Sequence, residues 1–191
     1  IVASSFQVKS ITGTYRAKLA FVNDETGNLA YIDFSNSTLA VTEIVDTFPV
    51  FHPDISPDGK RVAFCTKVEG VSGTSEVYVR DLNATGTNLV KLNVASAAIP
   101  RWRVVGADTL IVYVTDAGNN KEDVEWKQKS TWQVSFAGGK FGTPIKLFDG
   151  SYHGGLSEDG SLAVTGARLL RANINGKDTV WYNGEQACNA S

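Results

Sequence analysis

The stretch FHPDISPDGKRVAF, residues 51–64, decides the fold. Its centre is a tight turn. Pro57 presets φ, Asp58 offers a carboxylate to nearby backbone amides, and Gly59 accepts positive φ without a Cβ clash. The run Val62-Ala63-Phe64 that follows has the composition of a short strand. The same order returns at 152–166, YHGGLSEDGSLAVTG. With Ser56 laid on Ser157, His52 falls on His153, Asp58 on Asp159, Gly59 on Gly160 and Val62-Ala63 on Leu162-Ala163. Glu158 replaces the proline while Asp-Gly survives, so the turn geometry matters more than Pro57.

Two weaker copies extend the series. AIPRWRVVGADTLIVYV, residues 98–114, sets Pro100 on Pro53 and Arg103 on Ser56, with the turn rebuilt as Val-Gly-Ala-Asp. SITGTYRAKLAFV, residues 10–22, keeps Ser10 and Gly13 before Leu19-Ala20-Phe21. The closing ACNAS, residues 187–191, matches the lead-in to Ser56. The anchors at 10, 56, 103, 157 and 191 are separated by 46, 47, 54 and 34 residues. A period in the forties with β-type content points to propeller blades; helical solenoids would carry amphipathic helices.

Strand-like runs follow each turn at 17–23, 61–67, 109–115 and 161–167, and second runs lie at 28–34, 75–82, 130–136 and 178–183. Third, more polar runs occupy 39–45, 88–94 and 144–150. They are rich in Val, Ile, Tyr, Phe and Thr and bounded by Gly, Asn and Asp, as short antiparallel strands are. With the lead-in that makes four strands per unit, the content of a propeller blade. The only helical flavour is at 121–129. The expected fold is all-β: a partial or small β-propeller of about four blades of four-stranded antiparallel sheet, the last blade incomplete. It forms one domain over 1–191, with units at about 10–55, 56–102, 103–156 and 157–191.

Bulk properties narrow the function. The 191 residues carry 18 basic and 20 acidic side chains, a net charge of −2. Nucleic-acid binders concentrate Lys and Arg, so no nucleic-acid partner is expected. The longest apolar runs fall far short of the ~20 residues of a spanning helix. The chain begins at Ile1 and holds no Met, which reads as an N-terminus made by processing, cloning or proteolysis. Cys65 and Cys188 make neither a disulfide framework nor a metal site, and Cys65 sits in an apolar run as a small buried hydrophobe.

The repeat also carries a resemblance. PDISPDGKRVAF resembles the PD40 repeat of TolB-like β-propellers, in the same broad group as WD40 propellers. The period covers nearly the whole chain, and the motif about a dozen residues per unit. IPRW, YHGGLSEDG and WYNGEQACNAS faintly resemble a paralogous group of large predicted bacterial lipoproteins of unknown activity. The TolB resemblance implies a six-bladed closed parent fold, a periplasmic or cell-envelope setting and a role in protein association. It carries no catalytic residues over. Pro57, Asp58 and Gly59 match the motif and make a turn.

Candidate site residues come from the lead-in column. His52, Ile99, His153 and Ala187 share one position; Asp54, Arg101, Gly155 and Asn189 share another, two residues on. Side chains at i and i+2 lie on one strand face, and innermost strands line a propeller channel. His52, Asp54, Arg101, His153 and Asn189 are therefore the expected ligand-binding residues, at the channel mouth; the alternative is that they are solvated and inert. Two imidazoles and Asp54 suit a metal by type, but His153 lies two blades from His52, so no metal or other cofactor is assigned. The loop at 116–130 explains the long third unit. Asp116, Asn119, Asp123 and Glu125 offer oxygen ligands, yet no EF-hand spacing, and a solvated hairpin tip is the expectation. Trp126 and Trp132 are a sugar or peptide platform by type; packing is the plainer reading for Trp132, and Trp102, aligned with Ile55 and Leu156, reads as core. No G-x-S-x-G elbow or Cys-His neighbour supports nucleophilic catalysis.

Two functions follow: a non-catalytic scaffold that engages another protein or itself through open blade edges, or a ligand- or carbohydrate-sensing propeller attached to an enzyme.

Overall fold

The computed structural model describes residues 3–118, 120, 123–166 and 168–182. Asn189 and Ala187 of the lead-in column, and Asn119 of the long loop, lie outside the described residues.

Among the described residues the strands form four antiparallel sheets in chain order. The first holds β1 (Lys18–Val22), β2 (Leu29–Asp33) and β3 (Thr42–Ile44). The second holds β4 (Phe51–Ile55), β5 (Arg61–Cys65), β6 (Val77–Asp81) and β7 (Val90–Lys91). The third holds β8 (Ala98–Val105), β9 (Asp108–Val114), β10 (Ser130–Ala137), β11 (Lys140–Phe141) and β12 (Ile145–Asp149), with both β11 and β12 paired to β10. The fourth holds β13 (Gly155–Leu156), β14 (Leu162–Thr165), β15 (Arg171–Ile174) and β16 (Lys177–Val180). The shortened sheet is thus the first. The fourth, expected to be cut short, has four strands: 171–174 adds a strand missed in sequence because Arg171 and Asn173 break the apolar pattern.

Ser10 does not lead into a turn. It lies in α1 (Ser5–Thr12), bounded by a Ser4–Gln7 capping box and by Gly13 at φ 75°, whose N–H bonds the Lys9 carbonyl. No residue of α1 is buried, so its caps define it.

The two Asp-Gly turns match bond for bond. Ser56 Oγ donates to Asp58 Oδ1 (2.6 Å) and accepts from Arg61 N–H (2.9 Å), while Lys60 N–H donates to Asp58 Oδ1 (3.1 Å). Ser157 Oγ donates to Asp159 Oδ1 (2.7 Å) and accepts from Leu162 N–H (2.9 Å), while Ser161 N–H donates to Asp159 Oδ1 (3.0 Å). Both close hairpins from the first to the second strand of a sheet, and Gly59 and Gly160 hold φ of 70° and 73°. In the third sheet the hairpin is longer, turning at Gly106, and Arg103 sits within β8 opposite Leu110.

Side-chain alternation along β5 joins three sheets. Val62 and Phe64 pack with Leu29, Tyr31 and Ile44 of the first sheet; Ala63 and Cys65 pack with Ile111, Tyr113 and Val134 of the third. All four β5 residues are fully buried, and each large one contributes about 1.5–3 kcal/mol. Trp126, Tyr152 and Ala163 join the third sheet to the fourth. At one end of the fourth sheet the cross-strand partners Leu162 and Ile174 are 40% and 41% exposed, while Ala172 on the same face is buried.

The 116–130 loop is not a solvated tip. It holds α2 (Asp123–Lys127), and Trp126 is 2% exposed with its ring edge-on to Tyr152 and beside the Arg171 guanidinium. Asn120 is fully buried and bonds both the N–H and the carbonyl of Leu169, in the connection between β14 and β15. The extra length therefore fills an inter-sheet joint, which a reading of polarity alone could not show.

Candidate functional site

The first strands of the second and third sheets, β4 and β8, lie side by side, and each contains a β-bulge. The register shifts between Phe51 and Asp54 and between Ala98 and Arg101. His52 and Ile99, equivalent in the repeat, take positive φ of 52° and 48°. Such a conformation is uncommon for non-glycine residues and rare for a β-branched one. A bulge re-aims the side chains after it, so the i, i+2 rule used on the sequence does not hold across His52 and Asp54.

His52 Nε2 accepts the backbone N–H of Glu69 at 3.1 Å. His153 Nδ1 lies 3.5 Å from Glu69 Oε1, and its Nε2 lies 3.2 Å from Thr165 Oγ1. Glu69 thus sits between the two histidines, one from the second sheet and one from the lead-in to the fourth. The two-blade separation in sequence does not keep them apart. Asp54 faces another way: its Oδ2 accepts Trp102 N–H at 2.7 Å, and its carbonyl accepts the Trp102 indole N–H at 2.9 Å.

The charges report one shared environment. Burial lowers His153 to about 4, with Glu69 opposing the shift and His52, Arg101 and Lys129 adding to it. Burial also holds His52 below its ordinary value, against Glu69 and with Arg101. Asp54 is raised by burial, against the Trp102 N–H and Arg101. Arg101 acts on all three. Among the described residues, however, no group of three or more His, Cys, Asp or Glu side chains could hold a metal ion, so His52, Asp54 and His153 do not form the metal site their types allowed.

Cys65 is fully buried below this cluster, where its Sγ accepts Ile99 N–H at 3.4 Å and burial pushes the thiol up. Asp116 accepts Gly73 and Gly118 N–H groups and pairs with Lys129 at 3.3 Å, so it ties two loops together. Trp126 cannot act as an exposed platform. The Trp132 indole N–H donates to Ser130 Oγ, and its ring packs against the core, as does Trp102. The sequence reading missed Glu69. It lies in a polar Gly-containing loop outside the repeat column, and nothing local marks it.

The sequence matches no known family model and no curated protein. Among solved structures, it is similar to TolB from Acinetobacter baumannii at 21% identity and a TM-score of 0.51, over 91% of this chain and 42% of TolB. It also aligns with a puromycin-hydrolysing peptidase from Mycobacterium tuberculosis (13% identity, TM-score 0.47, 86% of this chain and 29% of the peptidase). An acylaminoacyl peptidase from Pyrococcus horikoshii gives 15% identity and a TM-score of 0.41, over 89% of this chain and 30% of that one. The four stacked antiparallel sheets and the likeness to TolB define the class: an all-β protein with the fold of part of a TolB-like β-propeller. The chain spans less than half the length of TolB.

Proposed function

We propose that this chain is a non-catalytic binding module of the bacterial cell envelope that associates with another protein. The observation that carries the reading is the exposed apolar pair at the end of the fourth sheet, Leu162 and Ile174, facing each other across β14 and β15. Within the molecule, sheet faces of this kind are covered by other sheets, as β5 is on both sides. An equivalent protein surface is the matching cover. The envelope setting and the absence of catalysis rest on the resemblance to TolB-like propellers. In support, His52, Asp54 and Glu69 are engaged in hydrogen bonds and contacts that hold loops and sheets together, as structural groups are.

The test is affinity capture from a solubilised bacterial envelope fraction, with the wild type and a Leu162→Glu/Ile174→Lys variant compared at equal thermal stability. A defined partner retained by the wild type and lost by the variant is the expected result. Identical retention by both, or fractionation of the parent protein with the cytosol, would overturn the reading.

A further inference from the structure

We propose that the cleft between the third and fourth sheets binds a small carboxylate with an apolar body, its charge received by Arg101. This inference is independent of the protein-association reading.

The cleft encloses about 210 Å³. Its walls include Ile99, Val112, Tyr113 and Leu156, the first three buried, with Arg101 and His153 among the polar groups. The volume is below the ~300–1,000 Å³ usual for drug-sized ligands and equals the liquid share of about seven waters. A ligand the size of phenylacetate fits that bound, and Trp102, Tyr113 and Tyr152 offer aromatic contact to its ring.

Arg101 supplies the specificity. The other arginines near sheet joints have protein acceptors: Arg80 on Asp46, Arg171 on Asp178, and Arg103 on the Ser157 carbonyl. Arg101 is exposed and lines the cleft, and its guanidinium makes no hydrogen bond or ion pair to a described residue. Asp54 accepts the Trp102 N–H and Glu69 lies 3.5 Å from the His153 ring, and neither is ion-paired with the Arg101 guanidinium. The β8 bulge at Ile99 sets the direction in which Arg101 leaves the strand. A planar guanidinium at the rim of an apolar cleft matches a carboxylate, which it can bind through two parallel hydrogen bonds.

The experiment titrates phenylacetate, phenylacetamide and an acetylated Gly-Glu-Gly peptide into the chain at pH 7, read by backbone amide NMR shifts and calorimetry. Phenylacetate should move amides at 99–103 and 152–156 and bind about tenfold or more tightly than the amide. Arg101→Gln should erase that preference at an unchanged melting temperature, while Arg101→Lys should keep part of it. Phenylacetate should outcompete the peptide, and a peptide that outcompetes phenylacetate would overturn the apolar-body assignment. Equal binding of acid and amide, no binding of either acid, or Arg101→Gln without effect overturns the proposal.

Discussion

Trp102 is bound twice by Asp54: its backbone N–H meets the Asp54 carboxylate at 2.7 Å and its indole N–H meets the Asp54 carbonyl at 2.9 Å. These two bonds lock the first strand of the third sheet to the first strand of the second. Asp54→Ala leaves the Trp102 N–H without its acceptor and should cost about 1–3 kcal/mol in urea unfolding. Asp54→Asn keeps an acceptor and should cost less. The folded carboxyl is held above its ordinary range by burial, so the wild type loses stability as pH rises through that folded value. The stability of Asp54→Asn relative to the wild type should therefore rise with pH and then level off. A flat difference would show that the carboxyl is not desolvated there.

The equivalence of the turns is testable by paired substitution. Ser56→Ala and Ser157→Ala each remove one hydroxyl that bridges an Asp carboxylate and a strand amide. Both should destabilise, Ser56→Ala by about 1 kcal/mol. Gly59→Ala, at φ 70°, should cost about 1–2 kcal/mol. Denaturant midpoints that fall at one turn and stay put at the other would break the equivalence.

Burial lowers both histidines, and Glu69 is predicted to oppose that shift. Its carboxylate favours the charged imidazoles, and Arg101 disfavours them. Glu69→Gln should lower the midpoints of His52 and His153, and Arg101→Gln should raise them, followed by imidazole NMR. Histidine midpoints indifferent to either change would mean that the four residues do not share a site.

The buried His153 is predicted to make the fold acid-sensitive. Its imidazole is lowered to about 4 when folded, so the unfolded chain binds the extra proton first. Its contribution is complete above the ordinary histidine value and is lost as pH falls toward 4. The groups facing it are Glu69, His52, Arg101 and Lys129. Melting temperature should drop between pH 7 and 4.5, by about 2–4 °C per kcal/mol lost at this chain length. His153→Gln should flatten the part of the profile that belongs to the imidazole.

A buried ion pair supports the joint between the first two sheets. Arg80 meets Asp46 at 2.7 Å with side chains 8% and 5% exposed, and also bonds the Gly86 carbonyl. Asp46→Ala strands a buried guanidinium and should cost about 3–5 kcal/mol in chemical denaturation. A loss below 1 kcal/mol would mean that water reaches Arg80.

What the sequence determined by itself was local and repeated. The Ser-x-Asp-Gly turn closes within five residues, and strand alternation needs only nearest neighbours, so both were legible at 56–61 and 157–162. The repeat register aligned His52 with His153, but whether its column forms one site was not decided by it. Other features needed the folded chain. Glu69 reaches His153 across 84 positions, and Asp54 reaches Trp102 across 48. The bulges at His52 and Ile99 redirect side chains in a way no two-residue periodicity encodes. The loop at 116–130 looked solvated because its composition is polar, yet Asn120 and Trp126 are buried once the fourth sheet supplies their partners. The physical division is one of range. Turns and strands are stabilised by bonds within a hairpin, whereas a site is assembled by the packing of separate sheets.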